Sequence, residues 1–385
     1  MNVIIKLEKH LNQKQCESFR EQARLHGRTL SEHAAHLLFS PEAPGAAPSQ
    51  DGLGKRTHAS DWSLTGKKKW YLLLGLVLFF AVSEVVCRYW VGLGDPPLSI
   101  AHPAIEYMFK PSCTYSRFGN RFSTNAYGMR SDDISSQRQG NEVRLLVLGD
   151  SIPNGGNLTD QDELATEILK KQLGKQMRVP VYVGNVSAGS WGPPNLLAYV
   201  KQYGTFEADA AVIVLNREDI DDFPTFAPLN PHTHPTVSPH SALGELCTRY
   251  ALPRLAAILK RTPQAEKEKE HEVGPNCLPE LGELIEKLKA DGVVVAVLYH
   301  PSRREVEVDG NFKPDRAYDE FAQYCDEIGV PFFCLDQRYK EAVRSGQNPF
   351  RDGMHPNAYG QALMAEEIMG ILQSQGIVSQ WSERN

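Results

Sequence analysis

The apolar stretch at residues 70–91 constrains this chain most, because a run of that length either crosses a membrane or needs a large core to bury it. It reads WYLLLGLVLFFAVSEVVCRYWV, with aromatic residues of the kind that favour membrane–water interfaces at both ends. About 20 helical residues span the roughly 30 Å hydrocarbon core of a bilayer. We therefore predict a transmembrane helix over residues 70–91. A buried core helix is the alternative.

Charges beside this stretch predict its orientation. Glu84 and Arg88 lie four residues apart, on one helical face, where they can form an ion pair. Three lysines at 67–69 immediately precede the stretch. By the positive-inside rule, residues 1–69 are predicted to be cytoplasmic and residues 92–385 periplasmic or extracellular.

The composition of the chain is that of a globular protein. It has 385 residues, 41% of them hydrophobic, and a net charge of −6, which gives no general attraction to nucleic acid. The seven cysteines include no CxxC pair, and no Cys/His spacing suits zinc, so we expect neither a metal nor a cofactor. After export, Cys325 with Cys334, or Cys247 with Cys277, would be able to form disulfides. Free thiols are the alternative.

The N-terminal part forms a separate small unit. A short strand pattern is followed by helical patterns at 12–26 and 30–39. Over residues 1–38, this order and the sequence GRTLSEHAAHLL resemble the ribbon-helix-helix fold, whose members pair through the strand. The resemblance implies a cytoplasmic homodimerisation unit at 1–40, and a helical tail without a partner is the alternative. Residues 41–69 are rich in Pro, Ala, Gly and Ser and are typical of a linker.

Strand and helix patterns alternate in the rest of the chain. Five apolar strand patterns are predicted, at 143–148, 179–186, 210–215, 292–299 and 331–335. Such runs between amphipathic helices are typical of a parallel sheet that helices cover on both faces. We predict an α/β domain over 141–377, after a lead-in segment at 92–140. An insertion rich in proline and histidine at 222–277 is predicted to lie over the functional face.

Two short motifs carry residues suited to catalysis. Gly149-Asp150-Ser151 follows the first strand, where a glycine permits the tight turn that presents the serine. Asp352 and His355 precede the last helix. A serine hydroxyl needs a base such as imidazole, and the imidazole needs a carboxylate that fixes its tautomer. Each motif alone is also compatible with an ordinary turn or helix cap.

Together the two motifs resemble the SGNH (GDSL-type) hydrolase family over residues 140–375. The sequence NAYGMR at 125–130 also looks like the segment before the GDS motif in many bacterial members. The resemblance implies a three-layer α/β/α flavodoxin-like fold. It also implies that Ser151 is the nucleophile, His355 the base and Asp352 the third member of a triad.

The family uses a glycine and an asparagine as oxyanion donors. Gly189 is the first choice for the glycine and Gly192 the second. Asn216 directly follows the third strand, but a strict alignment of the sequence LNRED puts Glu218 at the asparagine position. A carboxylate there would repel an oxyanion, and losing one donor typically costs roughly 10²–10³ in rate.

The resemblance implies an esterase or O-acyltransferase. Its substrates would be small esters or the O-acetyl groups of carbohydrate outside the cytoplasm, and no nucleic acid is expected to bind the catalytic domain. Trp191 and Tyr299, near predicted strand ends, are able either to stack on a sugar ring or to pack in the core. A different class of function is a non-catalytic scaffold that binds a polysaccharide or partner protein at the membrane. Glu218 favours that alternative, whereas the complete Ser151, Asp352 and His355 set opposes it.

Overall fold

A computed structural model describes residues 66–260, 275–307 and 312–383. The ribbon-helix-helix-like unit predicted at 1–40, and the linker up to residue 65, lie outside the described residues. The strands are β1 (Ser99–His102), β2 (Glu106–Phe109), β3 (Cys113–Arg117), β4 (Asn120–Thr124), β5 (Val143–Gly149), β6 (Val181–Ser187), β7 (Ala210–Leu215), β8 (Val294–Tyr299) and β9 (Phe332–Cys334).

Helices cover the sheet and precede it. They are α1 (Gly66–Val86), α2 (Ser151–Asn154), α3 (Ala165–Gln176), α4 (Pro193–Tyr203), α5 (Ala242–Glu245), α6 (Leu252–Lys260), α7 (Leu278–Ala290), α8 (Arg303–Glu307), α9 (Arg316–Glu327), α10 (Asp336–Arg344), α11 (Ala358–Ser374) and α12 (Ile377–Ser382). Single π-helical segments continue α1 at Cys87–Val91 and join α5 to α6 at Leu246–Ala251.

The central sheet has five strands in the order β6-β5-β7-β8-β9. Every neighbouring pair is parallel. If β5 is numbered as the first strand of the sheet, the order is 2-1-3-4-5, as in flavodoxin-like folds. In such folds, ligands bind beyond the carboxyl ends of the strands, at the point where the strand order reverses. The predicted α/β/α fold is confirmed, and β5 and β7 flank the point of reversal.

Alternate residues of each strand face opposite sides of the sheet, and each side has its own core. Leu146 and Leu148 of β5 pack on the side covered by α4, α7 and α9. Leu145 and Val147 pack on the other side, with α3 and α11. Both faces are apolar because both are covered, which explains why the strands appear in the sequence as unbroken apolar runs.

The lead-in segment forms two antiparallel hairpins, β1–β2 and β3–β4. The first hairpin contributes Ile105, Tyr107 and Met108 to the core that contains α4. In the second hairpin, strand β3 ends at Arg117, whose guanidinium forms a buried ion pair with Glu245 of α5. The lead-in therefore joins the sheet domain to the insertion at 222–277.

Helix α1 and the π segment after it form the one described helix that is long and apolar enough to cross a membrane. Only 6% of the most apolar 18 residues of this helix are buried against the rest of the protein. The alternative of a buried core helix is therefore wrong. Arg88 Nη2 lies 2.9 Å from Glu84 Oε1, which confirms the predicted pairing. Both side chains also contact the insertion, through the segment that ends in α5.

The cysteines within the described ranges are all free thiols. The disulfides considered for Cys325 with Cys334 and for Cys247 with Cys277 are therefore not formed. Cys325 lies on the buried face of α9, and Cys277 is buried where α7 begins, whereas Cys247 is exposed on the insertion.

Candidate active site

The nucleophile candidate lies at the point where the sheet reverses its strand order. Strand β5 ends at Gly149, and a Cβ there would lie 2.9 Å from the carbonyl oxygen of Val214, so the turn accepts only glycine. Asp150 caps the short helix α2, because its Oδ1 accepts the N–H of Ile152 at 2.8 Å. Ser151 is thereby held as the first residue of α2, at the carboxyl edge of the sheet.

The imidazole of His355 lies beside this serine. Its Nε2 is 3.0 Å from Ser151 Oγ, and its Nδ1 lies 2.9 and 3.0 Å from the two carboxylate oxygens of Asp352. We assign the Nδ1–H to the Asp352 contact, because a carboxylate accepts, which leaves the Nε2 lone pair facing the hydroxyl. Hydroxyl, imidazole and carboxylate are thus aligned as the sequence predicted.

Local hydrogen bonds fix the carboxylate of this set. Asp352 Oδ1 accepts the backbone N–H groups of Met354 and His355 at 2.9 and 2.8 Å. Burial raises the pKa of Asp352, but these bonds, the bond from the imidazole and its charge together hold the pKa below its usual range. Asp352 is therefore an anion at neutral pH and is able to stabilise an imidazolium.

A second carboxylate lies on the other side of the serine. Ser151 Oγ is 3.2 Å from Asp150 Oδ2, which also accepts from Asn216 Nδ2 at 3.0 Å. The same Asn216 amide donates to Asp219 Oδ2 at 2.8 Å. Burial raises the pKa of both Asp150 and Asp219, and in Asp219 the nearby Asp150 adds to this effect. Asn216 thus bridges two buried carboxyl groups directly behind the nucleophile.

The three oxyanion candidates differ in what their N–H groups already bind. Gly192 donates its N–H to Asn195 Oδ1 at 3.2 Å, and both amide hydrogens of Asn216 face carboxylates. The N–H of Gly189 makes no hydrogen bond within the described ranges. Gly189 therefore remains the first choice, while Asn216 would have to exchange a carboxylate partner before it bound an oxyanion.

Glu218, which a strict alignment puts at the asparagine position, has a side chain exposed to solvent. Its backbone N–H donates to Asn216 Oδ1 at 2.9 Å. Asn216 is the residue whose amide contacts Asp150 beside the nucleophile.

Tyr107, on strand β2, is a site residue that the sequence reasoning missed. Its hydroxyl donates to the carbonyl oxygen of Gly189, and its own carbonyl accepts Trp191 Nε1–H at 3.1 Å. One residue of the lead-in thus holds both ends of the Gly189–Trp191 turn. No local signal marks Tyr107, because its partners lie more than 80 positions away along the chain.

Arginine side chains hold the loop that follows the nucleophile. Arg130, the last residue of the NAYGMR motif, donates to the carbonyl groups of Asn154, Gly156 and Thr159. Arg351 donates to Gly155 O at 3.1 Å from the loop that carries His355. Arg351 therefore links the loop that carries His355 to the loop that follows Ser151.

Trp191 and Tyr299 are buried, so the interpretation that they stack on a sugar ring is wrong. Trp191 is 2% exposed and Tyr299 is fully buried. Trp191 packs edge-on against Tyr107, and the Tyr299 hydroxyl donates to Glu305 Oε1 at 2.9 Å. Both are core residues, the other role that their amphipathic rings allowed.

Comparison with known proteins identifies the sheet domain. The profile of the GDSL-like lipase/acylhydrolase family matches residues 145–368, more than half of the chain. No curated protein matches the chain in sequence. One similar solved structure is the psychrotrophic esterase EstA from Pseudoalteromonas sp., with 15% identity, coverage of 60% of this chain and 97% of that chain, and a TM-score of 0.34. A lipolytic G-D-S-L family member from Veillonella parvula has 15% identity, coverage of 60% of this chain and 98% of that chain, and a TM-score of 0.36. A lipase/acylhydrolase from Enterococcus faecalis has 14% identity, coverage of 60% of this chain and 96% of that chain, and a TM-score of 0.36.

Proposed function

The chain belongs to the GDSL-like lipase/acylhydrolase family of serine hydrolases, and we propose that it is a membrane-anchored esterase or O-acyltransferase that uses Ser151, His355 and Asp352. The proposed substrates are ester groups, above all O-acetyl groups, on carbohydrate outside the cytoplasm. The observation that carries the proposal is the 3.0 Å contact between Ser151 Oγ and His355 Nε2, with Asp352 behind the ring. This geometry opposes the non-catalytic scaffold.

The proposed chemistry has two steps. Ser151 Oγ attacks the ester carbonyl carbon while His355 Nε2 takes the hydroxyl proton, and the backbone N–H groups of Ser151 and Gly189 bind the oxyanion. The C–O bond to the alcohol breaks, the imidazolium returns its proton to the leaving oxygen, and an acyl-serine remains. Water or a sugar hydroxyl then attacks the acyl carbon and loses its proton to His355. The bond from the acyl carbon to Ser151 Oγ breaks, and the imidazolium returns the proton to that oxygen.

The polarity of the neighbouring segment supports a hydrophilic substrate. The acid-rich stretch Glu218–Asp222 directly follows β7, at the edge of the sheet that carries Ser151. Burial, and then the charge of Asp150, raise the pKa of Asp222 to about 7. A hydroxyl-rich alcohol moiety suits such surroundings better than a long acyl chain does.

Helix α1 supports attachment to a membrane. Its large side chains, including Leu74 and Phe79, are 65% and 63% exposed. This helix is preceded by the cluster of lysines that favours a cytoplasmic N-terminus. The proposed topology is one span, with the N-terminus in the cytoplasm and the sheet domain periplasmic or extracellular.

Two measurements on the full-length protein test the catalytic proposal. A fluorophosphonate probe should label Ser151, and a chromogenic acetyl ester should be hydrolysed at least about 10³-fold faster than by the Ser151→Ala variant. Ser374→Ala is the matched control, because Ser374 is an exposed residue at the far end of α11. Equal turnover by Ser151→Ala and the parent protein would remove the catalytic assignment.

Substrate class is tested with an ester series. We expect acetyl esters to be cleaved faster than octanoyl esters, and acetylated polysaccharide to release acetate. A sugar acceptor that diverts the acyl group from water would identify the transferase. Preference for octanoyl esters would contradict the proposed carbohydrate O-acetyl substrate while leaving the serine hydrolase assignment intact.

A further inference from the structure

The insertion carries a helix that is fixed to the end of α1. We use the name insertion helix for residues 242–260, which comprise α5, the π segment and α6. Its first turn is capped by Glu84 of α1, whose carboxylate accepts the N–H groups of Ala242 and Leu243, both at 2.9 Å. Glu84 also accepts the hydroxyl of Ser241 at 2.8 Å.

Apolar packing makes this attachment rigid. Cys87, Leu93 and Ala242 form a buried cluster at the junction of the apolar segment, the lead-in and the insertion helix. Leu246 and Tyr250, further along the insertion helix, pack against the same cluster. The insertion helix therefore keeps a fixed position relative to the proposed membrane span.

The length of α1 sets the depth of this junction. From Trp70 to Glu84 a helix rises about 21 Å at 1.5 Å per residue. The hydrocarbon core is roughly 30 Å thick, so with Trp70 at the cytoplasmic interface the Glu84 carboxylate lies about 9 Å inside the outer boundary of the hydrocarbon. A carboxylate at that depth needs partners. Arg88 and the first turn of the insertion helix provide them, so that turn must lie at membrane depth as well.

The insertion helix also has an exposed apolar stripe. Leu252, Leu255 and Ile258 recur every third residue and are 56%, 52% and 71% exposed. Exposed aromatic residues, Tyr89 and Trp90, lie on the adjoining end of the apolar segment. Aromatic residues at this level are typical of the membrane interface.

We propose that the insertion helix is a second membrane contact, in which Leu252, Leu255 and Ile258 enter the outer lipid interface. This inference rests on the proposed membrane anchoring by α1. It means that the catalytic domain is held on the bilayer at two points and does not swing on a free tether. The occupant of the apolar stripe is lipid, because a helix fixed at the depth of Glu84 meets the bilayer before any soluble partner.

Photolabelling of the full-length protein in vesicles tests this contact. The vesicles contain phosphatidylcholine, phosphatidylglycerol and a phosphatidylcholine with a diazirine in its acyl chain, and the adducts are mapped by mass spectrometry. We expect adducts on α1 and at residues 252–258. Val294, which is 41% exposed at the start of β8, should carry at least tenfold fewer.

The outcomes separate this inference from the anchoring on which it rests. Adducts on α1 with none at residues 252–258 would overturn the second contact and leave the anchor intact. Absence of adducts on α1 would overturn the anchoring and the second contact together. If an added bifunctional cross-linker joins two copies of the chain near residues 252–258, where lipid adducts are missing, the occupant is a second copy of the chain, which also overturns the proposal.

A variant provides the internal control for folding. The triple substitution Leu252→Ser, Leu255→Ser and Ile258→Ser should reduce lipid adducts on the insertion helix at least fivefold. Turnover of a soluble acetyl ester in detergent should stay within twofold of the parent protein, because these residues lie outside the triad. The matched Val294→Ser variant should change neither readout, and unchanged adducts in the triple variant would contradict the proposed lipid contact.

Discussion

At the scale of single residues, the alignment of Ser151, His355 and Asp352 was predictable because each residue lies in a short motif with a local geometric constraint. A glycine turn presents Ser151, and the three-residue spacing between Asp352 and His355 allows a carboxylate to reach the imidazole within one loop. Tyr107 was not predictable, since its contacts with the Gly189–Trp191 turn depend on how a distant hairpin packs.

The charge of Asp352 should be essential for turnover. Asp352→Asn keeps the size of the side chain and one acceptor oxygen, but an amide does not fix the Nδ1–H tautomer or stabilise an imidazolium. We expect kcat on an acetyl ester to fall by about 10³–10⁴-fold, with little change in melting temperature. A loss of less than tenfold would show that another group orients His355.

The hydroxyl of Tyr107 should act on the oxyanion turn and not on substrate binding. Tyr107→Phe keeps the buried ring but removes the hydrogen bond to the Gly189 carbonyl. We expect kcat to fall about 10–100-fold with KM within about twofold, as for loss of an interaction made in the transition state. Tyr203→Phe, which removes a hydroxyl near the sulfur of Met108, is the control. Equal effects of the two variants would assign Tyr107 a purely structural role.

At the scale of elements, the parallel strands were predictable because burial on both faces leaves continuous apolar runs. Strand β7 has the predicted bounds, and β5 extends one residue further, to Gly149. The hairpins of the lead-in gave no such signal, since strands such as Cys113–Arg117 are short and half exposed. The buried ion pair that joins them to the insertion was equally hidden, because its partners are 128 positions apart.

Removing only one partner of that ion pair should destabilise the fold more than removing both partners. Arg117 and Glu245 side chains are 1% and 3% exposed, and Glu245 also accepts the N–H of Gly94 at 2.6 Å. Arg117→Met leaves a buried carboxylate without its main partner, so we expect a loss of about 3–5 kcal/mol in the free energy of unfolding. The double variant Arg117→Met with Glu245→Leu should lose less, and chemical denaturation measures both. A double variant less stable than the single one would contradict this account.

At the scale of the whole molecule, the region that matches the family profile is shorter than the region whose residues build the candidate site. The family profile begins at residue 145, yet the turn with the oxyanion candidate is held by Tyr107. Local patterns predicted the parallel sheet, and the resemblance to the family implied its strand order and the roles of Ser151, His355 and Asp352. The sequence did not predict that residues 92–140 complete the site, because that depends on contacts between distant parts of the chain.

The lead-in should therefore be required for folding of the sheet domain. Ile105, Tyr107 and Met108 are at most 3% exposed in the shared core. Each buried side chain of this size contributes about 1.5–3 kcal/mol, and a typical domain is stable by only about 5–15 kcal/mol. A chain that starts at residue 141 should thus give little soluble, active protein, whereas one that starts at residue 92 should retain a cooperative melting transition and esterase turnover. Equal melting temperatures and equal kcat for the two chains would show that the hairpins are dispensable and that the site is complete without Tyr107.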